Sequence, residues 1–138
     1  MNRVGILASA GLLLITLGCA PAREPPGIVI GRVVNRDKPI TNALIYFEKI
    51  DDDYAVFESL AADGGFQLKT HDYGGLPAGS YRIAVRPDPG KSMALVGDAP
   101  TPRAHPLIPE RFMDTKTSAL SAEVKAGENP LYLFDLGK

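Results

Sequence analysis

Seven short segments of this chain are either β-branched apolar runs or have apolar residues at every second position, and glycine, proline, asparagine or aspartate residues separate them. In the clearest segment, Phe66, Leu68 and Thr70 alternate with Gln67 and Lys69. Side chains on a β-strand point alternately to its two faces, so this period of two predicts a strand with one buried face. The same reasoning predicts seven strands, at residues 28–35, 42–50, 54–61, 66–70, 81–86, 120–125 and 131–136.

Short strands with a turn about every ten residues predict an all-β domain over residues 28–138. They favour a seven-stranded, immunoglobulin-like β-sandwich whose two sheets pack about 10 Å apart. A small closed barrel is the alternative arrangement. The 14 glycines and 12 prolines of the chain supply the many turns that either arrangement needs.

The first 18 residues have the layout of a bacterial export signal. Arg3 precedes an apolar stretch of about 14 residues, which is shorter than the roughly 20 residues that cross a bilayer. The stretch ends at Gly18-Cys19, which resembles the lipobox where bacterial lipoproteins are cleaved and acylated on the new N-terminal cysteine. We therefore expect a signal peptide at residues 1–18, lipidation of Cys19 and a lipid-anchored tether at residues 19–27. Cleavage after Ala22, giving a soluble secreted protein, is the alternative.

The residues that follow the leader also bear on location. Ala20 stands where some bacteria place the aspartate that retains a lipoprotein in the inner membrane. We therefore expect an outer-membrane anchor, with the domain facing the periplasm or the cell surface. Cys19 is the only cysteine, so the stability of the exported domain must come from a packed core and not from disulfides.

The charge of the exported part excludes one class of partner. The leader holds one of the 15 basic residues and none of the 16 acidic ones, which leaves a slightly negative domain. Nucleic-acid binding depends on basic side chains that neutralise phosphates, so we expect no nucleic acid as a partner.

Residues 86–109 form the longest segment without a strand pattern, and six of them are proline. Irregular loops of this length are uncommon in compact domains and are often functional. Met93, Leu95 and Val96 interrupt its polar composition, so they are candidate contacts with a partner, although they can equally pack back onto the sandwich. Strand addition at an exposed sheet edge is a second route to a partner.

Few residues suit catalysis or metal binding. His71 and His105 are the only histidines available as acid–base groups or imidazole ligands, and the chain has no Gly-x-Ser-x-Gly pattern for a nucleophile. The three aspartates at 51–53 are contiguous and lack the alternate spacing of a calcium loop, which indicates a solvated turn. We expect no enzyme activity, no cofactor and no metal site.

Three groups of residues combine small turn residues with apolar strands in a recurring order: Gly31–Val34 with Lys38–Ile40 and Asn42–Phe47; Ala62–Leu68 with Gly79–Val85; and Ile108–Phe112 with Asp114, Thr117-Ser118, Leu120, Gly127–Asn129 and Phe134–Leu136. Together they resemble the transthyretin-like, carboxypeptidase-regulatory-like domains of small lipoproteins in planctomycete-type bacteria. The resemblance implies an exported sandwich of transthyretin (prealbumin) shape with no established catalytic role. Hydroxyisourate hydrolase shares that shape but has an N-terminal histidine motif, whereas the first predicted strand here has no histidine.

Several residues in these groups have predicted structural roles. Tyr81 is expected to bury its ring and to bond a nearby backbone group through its hydroxyl, as in a tyrosine corner. Ile108, Pro109 and Phe112 are expected to hold the end of the long loop against the sandwich. Turn positions with positive φ are predicted at residues 37, 42, 65 and 127, which are aspartate, asparagine, glycine and glycine.

The sequence thus predicts a lipid-anchored, exported β-sandwich module with a non-enzymatic interaction or structural role in the cell envelope. Its expected partners are the membrane, through the N-terminal lipid, and an envelope protein or polymer. A small-ligand or carbohydrate-binding module is one alternative, although the chain lacks the tryptophans that sugar platforms usually use. A transthyretin-shaped hydrolase is the other.

Overall fold

The structure is a computed structural model that describes Gly18 and residues 24–69, 74–96, 99–102 and 104–138, with side chains for all of these except 91–96 and 99–102. The predicted signal peptide apart from Gly18, the lipidation site Cys19 and the histidine His71 lie outside the described residues.

The described chain is almost entirely β-structure. Its elements, in order, are β1 (Gly27–Asn35), β2 (Lys38–Pro39), β3 (Ala43–Lys49), β4 (Ala55–Ser59), β5 (Gly65–Leu68), β6 (Gly79–Pro87), α1 (Pro89–Ser92), β7 (Met93–Val96), β8 (Ala99–Pro102), a 3₁₀ helix (Glu110–Met113), β9 (Leu120–Val124), β10 (Gly127–Glu128) and β11 (Tyr132–Asp135). Each of the seven predicted strands is present, as β1, β3, β4, β5, β6, β9 and β11.

The strands form two main sheets. Sheet I has β1 at its centre, with β2 and β5 antiparallel to it and β10 and β11 parallel to it. Gly31 and Arg32 pair with both β5 and β11, so these two strands lie on opposite edges of β1. Sheet II is antiparallel in the order β4-β3-β6-β9, and β7 and β8 form a separate hairpin.

The core lies between sheets I and II. The burial of β1 alternates, with Val29 and Val33 fully buried and their neighbours exposed or half-buried. Phe47 of sheet II packs against two rings of sheet I, with centroid distances of 5.9 Å to Phe66 and 6.3 Å to Phe134. The prediction of an all-β sandwich is therefore confirmed, and the period of two is its cause, because it gives each sheet one apolar face.

The predicted tyrosine corner is present. Tyr81 is fully buried, and its hydroxyl donates a hydrogen bond to the backbone oxygen of Pro77 over 2.7 Å. Burial raises the pKa of the Tyr81 hydroxyl, because the phenolate would lose its hydration.

The turns confirm three of the four predictions of positive φ. Asp37 has φ 70°, Asn42 has φ 53° and Gly127 has φ 79°. The prediction for Gly65 is wrong, because the positive φ of 77° falls one residue earlier, at Gly64. The side chain of Asp63 accepts the Gly65 N–H at 2.9 Å, which completes the turn before Gly65 enters β5.

Residues 86–109 contain more regular secondary structure than their proline-rich composition predicts. The segment contains α1 and the β7–β8 hairpin, in which Leu95 pairs with Pro100. Its end is held against the sandwich as predicted, since Ile108 and Phe112 are buried in the core. Prolines are compatible with β8 because that strand pairs on one side only.

Candidate functional site

The outer surface of sheet I carries exposed aliphatic side chains. Ile28 and Ile30 of β1 are 41% and 43% exposed, and Leu131 and Leu133, at the start of β11, are 71% and 66% exposed. We call these four residues the aliphatic face. Ile28 and Ile30 alternate with buried Val29, so the period of the strand places them on the side away from the core.

A shallow hollow of 480 Å³ lies within the aliphatic face. Ile30, Leu131 and Leu133 line its sides, and Gly31 and Phe66 contribute to its lining from β1 and β5. Gly31 allows this close packing, because a Cβ atom there would lie 2.5 Å from Cζ of Phe66 and 2.6 Å from the backbone oxygen of Tyr132. The absence of a side chain at residue 31 is therefore a structural requirement of this part of the sheet.

An ion pair borders the hollow. Arg32 Nη2 lies 3.2 Å from Asp63 Oδ2, and both side chains are largely exposed. The Gly65 N–H is the largest cause of the lowered pKa of the Asp63 carboxyl; desolvation opposes it, and the Arg32 guanidinium lowers the pKa further. An apolar centre with a charged rim is the usual composition of a protein-binding surface.

The side chains of the predicted partner contacts lie outside what the structure describes. The backbone of Met93, Leu95 and Val96 forms β7 and pairs with β8. Their contact with a partner therefore stays a prediction, as does the lipidation of Cys19.

His105 has a structural role in this fold. The Leu107 N–H donates to His105 Nδ1 at 3.1 Å, so the proton of the neutral ring is on Nε2. That nitrogen donates to the backbone oxygen of Thr41 over 2.7 Å. Both ring nitrogens are thus engaged with the backbone, and they tie the end of the long loop to the segment before β3.

Acidic residues do not converge on a cation site in the described part of the chain. No group of three or more His, Cys, Asp or Glu side chains there is arranged to hold a metal ion. Residues 51–53 lie exposed in the turn between β3 and β4, as predicted, and Asp52 lies 3.7 Å from Lys49 Nζ.

The aliphatic face is not among the sites predicted from the sequence, although the sequence contains a partial signal for it. Ile28-Val29-Ile30 and Leu131-Tyr132-Leu133-Phe134 are runs in which the outward positions are as apolar as the inward ones. Continuous apolar runs are typical of strands covered on both faces. In this two-layer sandwich the runs give sheet I an outer face that is apolar and exposed.

Among the described residues, no helix combines the length and hydrophobicity that crossing a membrane requires. Comparisons of the chain with protein-family models, with curated proteins and with solved structures find no match.

Proposed function

We propose that this chain is a lipid-anchored, exported β-sandwich module with a non-enzymatic interaction role in the cell envelope. In this proposal the aliphatic face binds an apolar surface of another envelope protein. The observation that carries it is the exposure of four large aliphatic side chains on one side of sheet I. Contiguous apolar patches on soluble domains commonly mark interaction sites, because their burial is the main favourable contribution to association.

The position of the aliphatic face relative to the proposed anchor favours a partner close to the membrane. Seven residues lie between Cys19 and Gly27, where β1 begins, so eight Cα–Cα steps join the two. A fully extended chain of that length spans at most about 28 Å. An acylated Cys19 would therefore hold Gly27, the first residue of β1, within that distance of the bilayer surface, and outer-membrane proteins are the partners we propose.

The composition of the surface favours a protein over a sugar or a substrate. The aliphatic face presents branched side chains instead of the flat rings on which sugars stack, and the Arg32–Asp63 ion pair supplies a polar rim. The engagement of His105 in two backbone hydrogen bonds supports the non-enzymatic part of the proposal, because that ring holds the fold together.

Site-specific photo-crosslinking in cells tests the proposal. A photoreactive amino acid is placed at Leu133, and in a matched control at Arg82, an exposed residue of sheet II. We expect one discrete adduct with another protein from position 133, its loss when Ile30→Asp is added, and no such adduct from position 82. Ile30 is nearly half exposed, so Ile30→Asp should leave the thermal unfolding transition in place.

Two results would contradict the proposed surface. One is the same set of adducts from positions 133 and 82, which would indicate random collision. The other is a position-133 adduct that survives Ile30→Asp in a folded variant, which would show that the aliphatic face does not determine binding.

A further inference from the structure

A basic cleft lies at the end of β1 that is remote from the tether. Its volume is 720 Å³, and three separate parts of the chain line it: the β1–β2 turn, the segment leading into the 3₁₀ helix, and the last three residues. The lining residues are Asn35, Arg36, Lys38, Pro106, Leu107, Pro109, Arg111, Leu136, Gly137 and Lys138. The aliphatic face contributes none of them, so this cleft is a separate feature of the molecule.

The uncharged part of the cleft lining is apolar, and hydrogen bonds hold it in place. Leu136 is buried, Leu107 is half-buried, and two prolines complete this lining. Asn35 Nδ2 donates to the backbone oxygen of Leu107 over 2.8 Å, and the Leu136 N–H donates to the backbone oxygen of Val34 over 2.8 Å. These bonds join the three parts of the chain, so the lining is held in place by the fold.

Four cationic side chains surround this apolar lining, and all four are exposed: Arg36, Lys38, Arg111 and Lys138. The lining includes no aspartate or glutamate, and no side-chain carboxylate of a described residue is within ion-pair distance of the four groups. Arg111 Nη2 donates to the backbone oxygen of Lys138 over 2.8 Å, which orients the guanidinium beside the cleft. The chain as a whole has a net charge of −1, so this concentration of positive charge is local.

The backbone around the cations is fixed by tight packing. Arg36 and Asp37 have φ of 48° and 70°, as expected for the two central residues of a type I′ hairpin turn. The N–H groups of Arg36 and Gly137 both donate to Asp135 Oδ1, at 3.1 Å and 2.9 Å. A Cβ at Gly137 would lie 2.4 Å from Arg36 Cγ, so only glycine allows this approach.

The surroundings of Asp135 stabilise a negative charge at this end of the sandwich. The pKa of its carboxyl is lowered, first by the Gly137 N–H and the Arg36 N–H and then by the charges of Lys138 and Arg36. Its carboxylate is already satisfied by the two backbone donors. The Arg36 and Lys138 charges act partly on this carboxylate, and Arg111 donates one hydrogen bond to Lys138. The Lys38 ammonium group and the remaining N–H groups of the two guanidinium groups are therefore what the cleft offers to a second anion.

We propose that the basic cleft binds a phosphate-bearing ligand, with the phosphate held by Lys38 and the two guanidinium groups and the adjoining apolar part of the ligand resting on Leu107, Leu136 and the prolines. A phosphate accepts several charge-assisted hydrogen bonds at once and matches the planar fork of an arginine guanidinium. Its source is either the headgroup of an anionic lipid or a soluble phosphorylated molecule. This assignment is independent of the protein partner proposed for the aliphatic face.

Amide NMR of the full chain in uncharged detergent micelles tests the assignment, with inorganic phosphate as the first probe. We expect saturable shifts at the amides of Arg36, Lys38 and Gly137. The double variant Lys38→Gln, Arg111→Gln should bind phosphate about tenfold more weakly or worse, because two charge-assisted contacts are lost. The matched control is Arg82→Gln with Lys116→Gln, which removes the same charges from exposed positions outside the cleft and should leave affinity unchanged.

A second pair of titrations identifies which molecule carries the phosphate. Micelles doped with phosphatidylglycerol are compared with micelles doped with zwitterionic phosphatidylcholine. Cleft-dependent shifts with phosphatidylglycerol alone assign an anionic lipid headgroup, and shifts with inorganic phosphate alone assign a soluble phosphorylated ligand. Equal weakening in both double variants would show diffuse charge attraction and overturn the assignment. So would the absence of saturable shifts with every probe in protein whose spectrum is that of the folded chain.

Discussion

Tyr81 links the core to the chain that enters β6. Its ring packs 6.0 Å from that of Phe47, and its hydroxyl bonds the backbone oxygen of Pro77. Tyr81→Phe keeps the ring and removes the hydroxyl, which leaves the Pro77 oxygen without this donor. We expect the free energy of unfolding to fall by about 1 kcal/mol, measured by urea denaturation. An unchanged midpoint would show that water replaces the hydroxyl at no cost.

The same residue predicts a loss of stability in alkali. Because burial raises the pKa of Tyr81 in the folded state, its contribution is complete below the ordinary tyrosine pKa of about 10 and is lost as the pH rises above it. The free energy of unfolding should therefore fall more steeply above pH 10 in the wild type than in Tyr81→Phe. Parallel profiles for the two proteins would contradict this assignment.

Asp63 is expected to make the free energy of unfolding fall as the pH is lowered, whereas Tyr81 makes it fall as the pH is raised. The Gly65 N–H and the Arg32 guanidinium lower the pKa of its carboxyl in the folded state. Its contribution to stability is therefore present above the ordinary aspartate pKa of about 3.9 and is lost as the pH falls through the lowered value. The wild type should be more stable than Asp63→Ala at neutral pH, and the difference should shrink in acid. A difference that stays constant with pH would mean that the carboxylate charge is not involved.

Sheet I depends on a glycine at the point where three strands meet. Gly31 pairs with Tyr132 of β11 and Phe66 of β5, and a Cβ would overlap both neighbours. Gly31→Ala should lower the free energy of unfolding by about 1–3 kcal/mol through overpacking. Gln67→Ala, at an exposed position of β5, is the control and should change it little. Equal effects of the two substitutions would disprove the steric argument.

The β7–β8 hairpin is a separate element from the sandwich. Among the described strands, β7 and β8 pair with each other and with no strand of sheets I and II, whereas His105 and Ile108, which follow the hairpin, are bound to the sandwich. Replacing residues 93–102 by glycine and serine should leave the thermal unfolding midpoint within a few degrees of the wild type. His105→Ala should lower stability by about 1–2 kcal/mol, because two backbone groups lose their partner. A hairpin replacement that unfolds the domain would show that the hairpin is structural.

The strands could be predicted from sequence because each one depends on local alternation and on turn residues beside it. Residue type also predicted the backbone conformation at Asp37 and Asn42, since both adopt the positive φ expected of them. The pairing of β1 with β11 could not be predicted from local sequence patterns. It joins residues about a hundred positions apart, and no local pattern specifies which edge of a strand a distant strand will occupy.

The candidate sites were less predictable for the same reason. The basic cleft brings Arg36, Lys38, Arg111 and Lys138 together only because three separated segments meet at one end of the fold. The aliphatic face leaves a partial signal in the continuous apolar runs at residues 28–30 and 131–134, but these runs do not show whether the outer face is covered or exposed. Periodicity predicts which residues share a face, and only the packing of the layers shows which faces remain open.

The whole molecule combines a proposed lipid anchor, a β-sandwich and two exposed surfaces, the aliphatic face and the basic cleft. The aliphatic face begins at the start of β1, and the basic cleft lies at the other end of that strand. The proposal of an envelope partner depends on the anchor, because a freely secreted domain would meet a different set of proteins. Lipidation of Cys19 is therefore the central claim.

Intact mass spectrometry of the protein in the membrane fraction tests this claim most directly, with wild type and Cys19→Ala compared. We predict a wild-type mass that begins at Cys19 and includes acyl chains, and the loss of both the acyl mass and the membrane association in Cys19→Ala. A wild-type mass that begins near Arg23, carries no acyl group and comes from the soluble fraction would contradict the account.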